Sequence, residues 1–207
     1  MRISRSIVLL ISLAGIALGA VGTSAASAAP RWRFSGNELT GEEKVKGVAI
    51  DGSLTVPGVT TTCERTTITM KISNAGGAGK GEVTKLGLSK CHTPEGSTCS
   101  VESIAAEELP WPLHAVTIGT QGYVIIEGVR IGITYAGSLC AISGTPVTVK
   151  GTAGGLFENA TSTLTFNDTY FKATGTSLKV GATAIDWDAV FPLQATGVHS
   201  AEALELF

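Results

Sequence analysis

Residues 123–135 read YVIIEGVRIGITY, and this stretch decides the fold. Tyr123, Ile125, Val129, Ile131, Ile133 and Tyr135 share one parity, interrupted by Glu127, while Gly128 and Gly132 thin the opposite face. A period of two sustained this long predicts a β-strand, and the glycines predict that it is bent or bulged and central in its sheet.

Outward from it the same period recurs. Val48, Ile50, Leu54 and Val56 alternate with Ala49, Asp51, Ser53 and Thr55 up to a turn at Pro57 and Gly58. Ile68, Met70 and Ile72 oppose Thr67, Thr69 and Lys71, and near the C-terminus Ile185, Trp187, Ala189, Phe191 and Leu193 oppose Asp186 and Asp188. Shorter strands are predicted at 147–150, 162–166, 169–174 and 178–180, with an edge strand around Leu204 and Leu206. Residues 103–109 predict one helical turn, after which Pro110 and Pro112 forbid regular helix and make a bend where Trp111 plugs the core. The expectation is all-β: a single antiparallel β-sandwich, jelly-roll-like, or a barrel, of about ten strands.

The N-terminus predicts export. Arg2 and Arg5 precede an apolar run over 7–21 and a small-residue string over 24–29, the order of a secretory signal peptide cleaved after Ala28. The apolar run is shorter than the roughly 20 residues of a membrane span, and no later stretch is apolar enough to span as a helix. The domain reading is therefore 1–28 signal peptide and 29–207 one all-β domain, secreted or held at the cell surface by partners. The chain has 15 basic and 17 acidic residues. Losing Arg2 and Arg5 leaves 13 against 17, and with no basic cluster along the chain this argues against nucleic acid and anionic membranes as partners.

Four cysteines behind a signal peptide predict two disulfides. The expected pairing is Cys91 with Cys99, across a turn-rich segment, and Cys63 with Cys140. A zinc site is disfavoured because no two cysteines stand in Cys-x-x-Cys spacing.

Other motifs yield to plainer readings. Residues 74–81, NAGGAGKG, lack the first glycine and the final Ser or Thr of a phosphate-binding loop and sit between strands, so they predict a hairpin loop. Asp186 and Asp188 have a spacing compatible with calcium, but they are also the solvent side of an amphipathic strand. His92, His114 and His199 fit no metal or catalytic spacing, and no nucleophile elbow is present. Asn159 and Asn167 each begin a glycosylation acceptor triplet, a pattern that chance supplies readily in a Thr-rich chain. The terminal Phe207 is a faint outer-membrane-barrel feature, but the strands lack lipid-facing runs with aromatic girdles. No catalytic, cofactor-binding or metal-binding residue is assigned.

At Cys63, at residues 87–91 (GLSKC), at Cys99 and at Leu109, Pro110 and Trp111, the chain resembles small secreted bacterial proteins, mostly actinobacterial. These share a cysteine-framed, Thr- and Gly-rich β pattern ending in Leu-Pro-Trp. The chain is also remotely similar to the secreted activator-of-alkane-oxidation proteins. The resemblance implies a bacterial, exported origin and brings no catalytic residue to any position here.

The functional expectation is an exported, non-enzymatic structural or interaction module that self-associates or joins the cell envelope. The alternative is an extracellular binder of an apolar or carbohydrate small molecule, with Trp111, Tyr123, Tyr135 or Trp187 facing the ligand.

Overall fold

The computed structural model describes residues 29–207. The expected signal peptide, 1–28, lies outside the described residues. The strands are β1 (Trp32–Phe34), β2 (Asn37–Glu38), β3 (Glu42–Val56), β4 (Val59–Ser73), β5 (Lys80–His92), β6 (Ser100–Ala106), β7 (Trp111–Ile118), β8 (Gln121–Ala136), β9 (Val147–Glu158) and β10 (Thr163–Phe166). A short helix, α1 (Asp168–Thr174), precedes β11 (Leu178–Val180), β12 (Thr183–Ala195) and β13 (Leu204–Leu206).

The ladders close on themselves. β3, β4 and β5 pair in succession, β5 pairs with β7, and β8 pairs with β7 along its first half and with β6 along its second. β8 then pairs with β9, β9 with both β10 and β11, each of these with β12, and β12 returns to β3. Each of these ladders is antiparallel. Since β6 and β7 share one position and β10 and β11 another, the ring is a closed barrel of 8 strand positions. Its neighbours follow chain order rather than the crossed order of a jelly roll.

Strict alternation misreads two of these strands. In β8 the register jumps between Ile126 and Val129, and Gly128 has φ +66°, a bulge that reverses the parity. Val124 and Ile126 therefore point inward with Val129, Ile131, Ile133 and Tyr135, whereas Tyr123 and Ile125 face outward, against expectation. In β3, Asp51 has φ +52°, so Ala49, Leu54 and Val56 are inside while Ile50 lies 67% exposed.

Two local predictions are overturned. The helical turn expected over 103–109 is absent: its first residues, 103–106, are the end of β6, because Ala105 and Ala106 pair with Gly132 and Ile131. Residues 169–174 are helix rather than strand. Asn167 caps the first turn by accepting a hydrogen bond from the Tyr170 amide, Asp168 pairs with Lys172 one turn on, and Gly175 takes the left-handed φ of +67° that ends a helix.

The interior is filled. Trp111, Tyr135, Phe166, Phe191, Ile68, Met70, Ile72, Ile126, Ile131 and Ile133 are all less than 2% exposed, and Trp187 stacks on Phe166 at 4.7 Å. Each such burial stabilises by about 1.5–3 kcal/mol relative to exposure, so packing rather than the staples supplies most of the driving force.

The two ends of the barrel are closed differently. At one, β13, β1 and β2 form a small sheet whose Trp32, Phe34, Leu204 and Leu206 join the core. Three polar side chains clamp it. Asn74 Oδ1 accepts from the Trp32 amide at 2.8 Å, and its Nδ2 donates to the carbonyls of Trp32 and Leu39. Asn159 and Ser162 each both donate to and accept from the backbone of β13, at Leu206 and Leu204. The other end carries the disulfides, which join Cys63 to Cys91 and Cys99 to Cys140. This corrects the expected pairing. Cys63 and Cys91 stand directly opposite on the β4–β5 ladder, which leaves Cys140, just beyond β8, for Cys99, just before β6.

Candidate functional site

The four candidate ligand-facing aromatics are packed. Trp111 is 1% exposed and donates from its indole nitrogen to the Glu107 carbonyl at 2.9 Å. Tyr135 is wholly buried, its hydroxyl 2.8 Å from that of Thr61, and burial pushes its phenol above the ordinary range despite that hydrogen bond. Trp187 lies in the Phe166–Phe191 cluster. Tyr123 is on the outer wall, where α1 covers it through Tyr170 and its hydroxyl donates to Gln121. The structure does not bring the four together, and none presents a free face.

Asp186 and Asp188 project outward from β12, as predicted. Burial first, then the neighbouring charges of Asp186 and Asp168, raise the Asp188 carboxyl above its ordinary range. Asp168 is itself engaged by Lys172. Among the described residues no group of three or more His, Cys, Asp or Glu is placed to hold a metal. The histidines are dispersed: His199 stacks on Phe34 at 4.6 Å and contacts Glu202, His114 lies 3.6 Å from Glu127, and His92 is exposed.

Both glycosylation-type asparagines have structural duties, Asn159 clamping β13 and Asn167 capping α1. The loop at 74–81 supplies the Asn74 clamp, and the Trp32 indole donates to the Lys80 carbonyl.

The concave feature with the most pronounced chemistry was not legible along the chain. A groove of about 540 Å³ runs over the outer face of β3, β4 and β5. Its charged lining is Lys44, Lys46, Arg65 and Lys85, its hydroxyls are Thr67, Thr69 and Thr84, and no carboxylate lines it. Ladder register sets the arrangement: Lys46 lies opposite Thr69, which lies opposite Lys85. At about 4.8 Å between strands, the two lysines are rooted about 10 Å apart with a threonine between them. Spacing by Thr69 avoids the direct like-charge opposition that destabilises a sheet. All four cations are exposed, and among the described residues none has a carboxylate within salt-bridge distance. The absence of a basic cluster along the chain is thus corrected in space. The sequence signal, in retrospect, is outward parity shared by Lys44 and Lys46, by Thr67 and Thr69, and by Lys85.

A second cationic row crosses β8, β9 and β11, where Arg130, Lys150 and Lys179 lie opposite one another. There Glu107 and Glu108 hold Arg130, at 2.9 and 3.0 Å. The groove on β3–β5 has no such neutralisation.

Comparison with protein-family models, with curated proteins and with solved structures gives no match.

Proposed function

We propose that this protein is exported and works outside the cytoplasm as a non-enzymatic interaction module that binds through the outer wall of its barrel. The observation that carries the reading is the filled interior. A small apolar or carbohydrate ligand inside would have to displace Trp111, Tyr135 or Trp187, each at most 3% exposed. Binding surface is instead available outside, in the β3–β5 groove, whose lining cations Lys44, Lys46, Arg65 and Lys85 have no carboxylate among them. Two disulfides suit an oxidising compartment, and no described helix is long and apolar enough to cross a membrane. The outward side chains of β3 and β4, among them Lys44, Lys46, Thr55, Thr62, Thr67 and Lys71, suit water. The resemblance to cysteine-framed exported proteins agrees with this location.

The test is a native mass spectrum of the protein recovered from secreting cells, then its denatured, non-reduced mass, with the purified cell envelope assayed for retention. The expected result is a chain starting at Ala29, lighter by the hydrogens of two disulfides, free of small molecules and retained on envelope or on itself. A co-purifying small molecule, or an exclusively monomeric protein that binds no envelope, would overturn the reading.

A further inference from the structure

We infer that the β3–β5 groove is a binding site for a carboxylated polysaccharide; this names the partner class of the module proposed above and rests on that reading. Charge favours an anionic partner here. After loss of the signal segment the chain is net acidic, yet four exposed cations from three strands converge on one concavity without an acid among its lining residues. Such a local positive field on an acidic molecule draws anions to this face.

The kind of donor favours an extended anion. Three of the four cations are lysines, compact charges with rotatable donors, and Lys46 and Lys85 flank Thr69 in register. Charges repeated across strands match a chain that alternates carboxylates with hydroxyls, since Thr67 and Thr84, which donate their own protons to the Gly87 and Thr69 carbonyls, keep oxygens that can accept from sugar hydroxyls. A lone small anion would leave most of the groove empty.

The lining separates this partner from nucleic acid and from a lipid surface. No aromatic residue lines the groove, so it offers no stacking platform for bases. Its apolar members lie low: Ile68 is 1% exposed and Val48 only partly, so no side chain there is placed to insert into a lipid surface.

The experiment uses the mature disulfide-bonded protein with polygalacturonate, dextran and a thymidine oligonucleotide as probes, titrated at low and moderate salt. Polygalacturonate is expected to bind and to weaken by about tenfold or more as salt rises, since exposed charges are screened. Lys46→Glu with Lys85→Glu should weaken it by roughly tenfold or more, while Lys46→Arg with Lys85→Arg retains it within about threefold because the charge is kept. Lys44→Glu with Arg65→Glu, checked like the first pair for an unchanged melting temperature, should reproduce the loss. Lys150→Glu with Lys179→Glu should leave binding as it was.

Four results would overturn the inference: no binding of polygalacturonate, equal binding of dextran, tighter binding of the oligonucleotide, or undiminished binding by both groove charge reversals. Envelope retention of the wild-type protein alongside any of these would leave the module reading standing and place its surface elsewhere. Loss of retention as well would remove both.

Discussion

At the scale of single residues, close approach and desolvation make the sharpest demands. Gly81 sits on the β4–β5 ladder where a Cβ would lie 2.1 Å from the Lys71 carbonyl oxygen, a backbone atom that cannot swing aside. Gly81→Ala is expected to destabilise the barrel by about 1–3 kcal/mol, measured by chemical denaturation, and an unchanged midpoint would contradict the packing described. Asp188 makes a pH-dependent demand. Its folded carboxyl is raised above the unfolded value, so its stabilising contribution is complete below the unfolded pKa and is lost as pH rises through the folded one. Asp188→Asn should therefore raise the melting temperature slightly at neutral pH, an effect within about 0.5 kcal/mol. The difference should vanish below about pH 3, where the aspartate is protonated in both states. A gain that persisted there would point to a cause other than charge.

Elements depend on devices that reset or stop them. α1 is only two turns long, yet it covers Tyr123 and fills the gap between β10 and β11, with Phe171 buried in the core. So short a helix relies on its cap, and Asn167→Ala should cost about 1 kcal/mol in thermal or chemical unfolding. Asn167→Asp, which keeps the acceptor, should recover most of it. The disulfides bind β4 to β5 and the start of β6 to the segment beyond β8, with sequence separations of 28 and 41. On the chain-entropy model each closure stabilises by about 4 kcal/mol, so replacing either pair with alanine should lower stability by a similar amount. Non-reducing peptide maps should link Cys63 to Cys91, and a Cys91–Cys99 peptide would refute the register of β4 on β5.

On the scale of the whole molecule, a ring of strands hides its apolar side chains inside and turns its charges outward. The interior is committed to packing, with Trp111, Tyr135 and Trp187 spread through it rather than gathered around a cavity. Intrinsic tryptophan fluorescence should accordingly stay flat across a panel of lipids, hydrocarbons and neutral sugars. A saturable change with any of them would show an interior or aromatic-lined site. Closing both ends, one with the β13–β1–β2 sheet and the other with disulfides, joins distant parts of the chain into one core. Unfolding followed by near- and far-ultraviolet dichroism should therefore give coincident transitions.

The sequence alone determined the class of the fold and much of its inward face. Burial of one side of a pleated strand writes a period of two directly into the chain, as in Ile68, Met70 and Ile72 or in Ile185 through Leu193. It also determined that the cysteines would be used as disulfides. What it left open depended on contacts between residues far apart. The parity of Tyr123 turns on a bulge at Gly128, the partner of Cys63 on strand register, and strand or helix at 169–174 on whether Asn167 acts as a cap. Lys44, Lys46, Arg65 and Lys85 come together only because β3, β4 and β5 are adjacent, and no local pattern ranks those cations above the others. Periodicity reports which side of a strand is buried, whereas a surface site is made by which strands are neighbours, and that is a property of the closed barrel.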